Sequence, residues 1–129
     1  MQNKALIVDD SKLARMVMVS AFRRLQPDWE LVEATSAQEA LDKISVGAID
    51  LALVDFNMPG TDGLELLAKI RQSHPKMPVA LVSANLQDEI IARTRELNAA
   101  FVPKPLTDDA LGAFLSGAAL RLRKAAHED

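Results

Sequence analysis

Five residues that are far apart in the chain could act together chemically: Asp9, Asp10, Asp55, Ser83 and Lys104. Each stands at or just beyond the end of a short apolar run. ALIV (5–8) leads into the acidic pair, DLALVD (50–55) ends on Asp55, VALVS (79–83) ends on Ser83, and AAFV (99–102) leads through Pro103 to Lys104. Carboxylates drawn together repel one another and lose solvation, so three of them demand positive charge. Lys104 supplies one unit. A hard divalent cation with oxygen ligands would supply the rest, and Mg²⁺ (or Mn²⁺), which holds one or two carboxylates and keeps several waters, suits an open site. Beside such a cation Asp55 could act as a nucleophile toward phosphorus and form an aspartyl phosphate.

The elements that must position these groups can be read from the spacing of apolar residues. A fifth short run, WELVEA (29–34), joins the four above, and longer stretches with helical periodicity lie between the runs. In residues 11–25 the expected core stripe is Ala14, Val17, Met18, Ala21, Phe22 and Leu25, and in the last segment it is Leu111, Phe114, Leu115, Ala118 and Leu122. Ser36-Ala37-Gln38-Glu39 has the pattern of a capping box, and Asp62 and Thr107 stand where helices should start. Runs that are apolar nearly throughout point to strands buried on both faces, hence to a parallel sheet covered by helices. Five such units predict an α/β fold with a doubly wound five-stranded parallel sheet, whose ligands bind beyond the carboxyl ends of the strands. Taken singly, each candidate has an ordinary structural use; Asp10-Ser11 could simply cap a helix and Lys104-Pro105 could be a plain loop. Their joint placement at one edge of the sheet favours chemistry.

The totals bound the remaining possibilities. A chain of 129 residues, 49% hydrophobic and 26% charged, has the size and composition of a single globular domain. The net charge of −3 gives no global attraction to nucleic acid or an acidic membrane surface. The absence of cysteine excludes disulfides, thiol catalysis and thiolate metal sites. No apolar segment reaches the length of a membrane span, and the early acidic pair is unlike a signal peptide, so a cytoplasmic location is expected. The polar segment from about residue 121 to 129 is expected to fray or to begin a linker.

Four motifs in combination, LIVDDS with its Asp9-Asp10 pair, DFNMPGTDG from Asp55, VSA at 82–84 and FVPKP at 101–105, make the chain resemble the receiver domain of two-component response regulators, the chemotaxis-regulator-like family with a flavodoxin-like (βα)5 fold. The resemblance spans essentially residues 1–129 as one domain. It implies that Asp55 is the phosphoacceptor, and that Asp10 and Asp55 bind Mg²⁺ directly, Asp9 through water and Asn57 through its backbone carbonyl. It implies that Ser83 and Lys104 contact the phosphoryl oxygens, that the Lys104-Pro105 bond is cis, and that Phe101 is an aromatic switch turning inward when Ser83 moves. Serine at 83 keeps the hydroxyl of the commoner threonine, while phenylalanine at 101 lacks the hydroxyl of the commoner tyrosine. Asn57 and Asn85 occupy positions that modulate phosphoryl loss in the family, and neither is a strong base, so self-hydrolysis should be neither very fast nor blocked.

The resemblance further implies partners: a sensor histidine kinase or histidine phosphotransfer protein, a downstream target protein, and a phosphorylation-dependent dimer as a further form. Leu13, Met16 and Val19 project from the expected core face of the first helix, and Leu13 and Met16 are the candidate kinase-docking residues. Signals in the family are usually read from the face of the fourth helix, fifth strand and fifth helix, where Ala113, Gly117 and Leu120 lie off the core stripe. His74 and His127 read as surface residues, and Trp29 as a packing residue. Other readings fit less well. An aspartyl-phosphate hydrolase would need a second aspartate two residues after the first, where Ser11 stands. A flavin or nucleotide carrier would need a glycine- or hydroxyl-rich phosphate loop, which LIVDDSKLAR lacks. A degenerate receiver used only as a protein-interaction module would need neither the clustered carboxylates nor Ser83 and Lys104. The only catalysis expected is self-catalysed transfer to Asp55 and its reversal by water.

Overall fold

A computed structural model describes residues 3–127, with side chains placed as far as Leu122. Strands and helices alternate along the whole chain: β1 (Lys4–Val8), α1 (Lys12–Leu25), β2 (Glu30–Ala34), α2 (Ala37–Ser45), β3 (Leu51–Asp55), α3 (Gly63–Ser73), β4 (Val79–Ser83), α4 (Asp88–Glu96), β5 (Ala100–Pro103) and α5 (Asp108–His127). The strands form one sheet in the order β2-β1-β3-β4-β5, and every neighbouring pair is parallel.

Alternate residues along the strands supply two cores, because successive side chains point to opposite faces. Leu6, Val8, Ala52, Val54, Val79 and Leu81 pack with buried residues of α2, α3 and α4. Ala5, Ile7, Leu51, Leu53, Ala80 and Val82 pack with those of α1 and α5. β3 and β4 are buried at every position, which accounts for their unbroken apolar sequence. β2 lies at an edge and tolerates the exposed Glu30 and Glu33. Trp29 packs edge-on against Phe22 with ring centroids 5.5 Å apart.

The helix starts follow the expected chemistry, with one difference of detail. Ser11, Ser36, Asp62 and Thr107 each accept a bond from the main-chain N–H three residues on. The carboxylate of Glu39, however, accepts from the Thr35 hydroxyl at 3.0 Å instead of turning back to the Ser36 N–H. α5 is helical to His127, well past Arg121, where the polar tail was expected to begin. Among the described residues no helix is long and apolar enough to cross a membrane.

The stripe on α1 requires a correction. Val17 is 52% exposed, whereas Val19, expected to project outward, is buried. At 3.6 residues per turn, Val19 lies nearer the line through Met18, Phe22 and Leu25 than Val17 does. His74 is half-buried rather than on the surface, with Nδ1 2.8 Å from the Ser73 hydroxyl. The side chain of His127 lies outside the described residues.

Candidate functional site

β1 has β2 on one side and β3 on the other, so the chain's winding reverses between β1 and β3. In open α/β sheets a crevice opens at such a reversal, beyond the carboxyl ends of the strands. Asp9 follows β1 and Asp55 is the last residue of β3, so the two acids stand on either side of it. One carboxylate oxygen from each of Asp9, Asp10 and Asp55 lies within 4.8 Å of the other two.

The three acids are held differently. Asp9 is buried, its N–H donates to the Ala34 carbonyl at 3.1 Å, and its Oδ1 accepts from the Ser11 N–H at 2.9 Å. Its Oδ2 is buried with no hydrogen-bond partner. Burial raises the pKa of Asp9, and the neighbouring Asp55 and Asp10 push it the same way against the Ser11 N–H and Lys104. Asp10 is exposed. Asp55 is buried, with its Oδ1 2.6 Å from Lys104 Nζ, in an ion pair whose angles are not those of a hydrogen bond.

The adjoining strands bring in the other two groups. Asp55 pairs with Val82 in the sheet, so Ser83 stands one position further along the neighbouring strand. Ser83 is buried and its hydroxyl accepts from the Asn85 N–H at 2.9 Å. The N–H of Lys104 donates to the Ser83 carbonyl at 2.9 Å, so β5 delivers the lysine beside β4, and the Lys104-Pro105 bond is cis. Asn57 is exposed in the turn after Asp55, beside a shallow cleft of about 420 Å³ that it lines with Phe56, Met58, Pro59 and Asp62.

All five residues of the expected cluster therefore collect at one edge of the sheet. Phe101 does not reach it directly. It pairs with Leu81, two positions before the level of Ser83, and lies half-buried against the core beneath α4. Leu13 and Met16 are exposed, at 72% and 54%, and Val17 joins them on α1 one turn from Leu13.

Three hard oxygen donors, one of them with a buried unpartnered oxygen, offset only in part by one lysine, suit a divalent cation bound with water. Residues 5–116 match the family model of the response regulator receiver domain. The chain belongs to that family.

This receiver chain is 34% identical over 125 residues to the sensor protein EvgS of Escherichia coli O157:H7, and 36% identical over 120 residues to the sensor histidine kinase RcsC of Salmonella typhi. The matches cover 95% and 92% of the chain but only 10% and 12% of those relatives' lengths. It also superposes on the crystal structure of a CheY-like receiver domain protein from Methanospirillum hungatei JF-1 with a TM-score of 0.82 and 28% identity, covering 96% of this chain and 99% of that one.

Two residues around the receiver's site have no clear sequence signal. Gly63, the first residue of α3, donates its N–H to the Phe56 carbonyl at 2.9 Å, and a side chain there would meet the main chain of Asp55. Only the oddity of glycine opening a helix hints at this. Arg15 is a single arginine on a helix, yet its side chain is just 13% exposed and its Nη1 donates to the Asp9 carbonyl at 2.8 Å.

Proposed function

We propose that this receiver is a phosphorylation-dependent switch in two-component signalling, in which Asp55 accepts a phosphoryl group from a phosphohistidine. The observation that carries the reading is the acidic cluster itself: three carboxylates within 4.8 Å, an unpartnered buried Oδ2 on Asp9, and Lys104 against Asp55. A metal-free protein has no use for so much uncompensated negative charge.

In the transfer, a carboxylate oxygen of Asp55 bonds to phosphorus while the bond from phosphorus to the donor imidazole nitrogen breaks, and the imidazole departs with the electron pair. Mg²⁺ held by Asp10 and Asp55, by Asp9 through water and by the Asn57 carbonyl would neutralise charge on the phosphoryl oxygens. Lys104 pairs with one phosphoryl oxygen and Ser83 donates its hydroxyl to another. The Ser83 oxygen can keep accepting from the Asn85 N–H while its O–H donates to the phosphoryl group, so a movement of Ser83 toward the phosphoryl group carries the loop before α4 with it. The half-buried Phe101 then turns inward.

Two surfaces follow from this reading. Leu13, Met16 and Val17 on α1 dock the phosphohistidine donor, a sensor kinase or phosphotransfer protein, and the sensor relatives support a donor of that class. The α4-β5-α5 face, with Ala113, Gly117 and Leu120 exposed, passes the signal to a target protein or a second receiver. The test is the intact mass after incubation with acetyl phosphate, with and without Mg²⁺. A gain of one phosphoryl group that requires both Mg²⁺ and Asp55, and is absent in Asp55→Asn, is the expected result. No gain in folded protein under any condition would overturn the reading.

A further inference from the structure

Of the three clustered acids, Asp10 is the one whose carboxylate is held by no contact of its own among the described residues. Its position must come from the residues on either side. On one side Ser11 is fixed as the cap of α1, accepting from the Ala14 N–H and donating its own N–H to Asp9. On the other side lies the Asp9–Asp10 peptide, whose carbonyl accepts from Arg15 Nη1 at 2.8 Å. The guanidinium is itself oriented: Nε is 3.1 Å from Glu33 Oε1, on the edge strand β2. Lys43 on α2 in turn donates to the Glu33 carbonyl. A planar guanidinium with two fixed bonds sets the plane of the peptide it touches, and so the direction in which Asp10 leaves the chain.

We infer that Arg15 is a positioning residue for the acidic cluster: through the Asp9 carbonyl it sets the presentation of Asp10 to a divalent cation, with Glu33 holding it in register. The inference rests on the reading of the cluster as a cation site. Outer partners that orient metal-ligating groups typically change metal affinity by about 10–100-fold when removed.

The sign of the effect separates positioning from plain electrostatics. Taking away a cation near the cluster should, by charge alone, tighten Mg²⁺ binding. Loss of positioning should weaken it. Mg²⁺ titration calorimetry would be run on the wild type, Arg15→Met, which keeps most of the aliphatic stem, Arg15→Lys, which keeps the charge, and Glu33→Gln, with urea unfolding in EDTA as a check on folding. Mg²⁺ affinity is expected to fall about tenfold in Arg15→Met and nearly as far in Arg15→Lys, with a smaller loss in Glu33→Gln, all in proteins that remain folded. Unchanged or tighter binding in Arg15→Met, or wild-type affinity in Arg15→Lys, would overturn the inference. If Arg15→Met fails to fold, Arg15→Lys decides, because it keeps the charge and should still weaken binding if positioning matters; Glu33→Gln removes a negative charge and weakens binding on either account. A wild type that binds no Mg²⁺ would instead overturn the reading of the cluster as a cation site.

Discussion

Gly63 stands so close to Asp55 that a Cβ on it would lie 2.5 Å from the Asp55 main-chain oxygen and 2.9 Å from Phe56 Cα. α3 therefore starts in direct contact with the end of β3, and the Gly63 N–H bond to the Phe56 carbonyl closes the turn that contains Asn57. Leu81 Cδ1, at 2.8 Å, is a side-chain atom that can give way, but the other two obstructing atoms are backbone, so Gly63→Ala must displace either the helix or the strand tip. We expect a loss of about 1–3 kcal/mol in urea unfolding, together with slower labelling of Asp55 by acetyl phosphate. An unchanged unfolding midpoint would show that the turn yields without cost.

Asp9 makes a pH-dependent prediction for the metal-free protein. Burial raises its folded-state pKa above the ordinary 3.8, so the folded chain holds this proton more tightly than the unfolded chain does. The contribution of Asp9 to stability is then present in full below the ordinary value and is lost as pH rises through the folded value. In EDTA at neutral pH, Asp9→Asn should be more stable than wild type, and the difference should shrink as the pH falls toward 4. With saturating Mg²⁺ the order should reverse, because only the carboxylate gains from the cation. Equal stability of the two proteins at neutral pH without metal would refute the prediction.

Arg71 acts at the other end of the sheet. Its guanidinium donates to the carbonyls of Leu97, His74, Met77 and Asn98 at 2.6–3.0 Å, tying the end of α3 to the segments that lead into β4 and β5. Burial lowers its pKa, with the nearby Arg121 adding to the effect, yet arginine remains charged. Arg71→Leu should cost roughly 2–3 kcal/mol in urea unfolding, since charge-assisted bonds are the stronger kind. Labelling of the folded variant by acetyl phosphate should stay near normal. A large labelling defect in folded protein would show that the two ends of the sheet are coupled.

On α1 the exchange of Val17 and Val19 between surface and core is open to direct test. Val19→Glu should destabilise strongly, by roughly 3 kcal/mol or more, because it buries a charge without a partner. Val17→Glu should change stability by less than about 0.5 kcal/mol. If α1 docks the donor, Leu13→Glu combined with Met16→Glu should slow transfer from the cognate kinase and leave acetyl phosphate labelling intact. An unchanged transfer rate would remove α1 from the docking surface.

The order of elements, the parallel sheet and the gathering of Asp9, Asp10, Asp55, Ser83 and Lys104 at one edge were all determined by the sequence alone. The physical reason is local. Strands buried on both faces must be apolar throughout, helix starts need oxygen-bearing caps, and a polar residue that ends an apolar strand has to emerge at the sheet's rim. Tertiary structure decided what local pattern leaves degenerate. Val17 and Val19 lie on either side of the same α1 stripe, and only packing against the sheet chooses between them. Neither the contact of Gly63 with Asp55 nor the bond from Arg15 to the Asp9 carbonyl leaves a periodic trace, because each depends on how a helix is set against a strand. The unpartnered Oδ2 of Asp9 likewise exists only in the folded chain, since burial belongs to the assembled fold and not to any one segment.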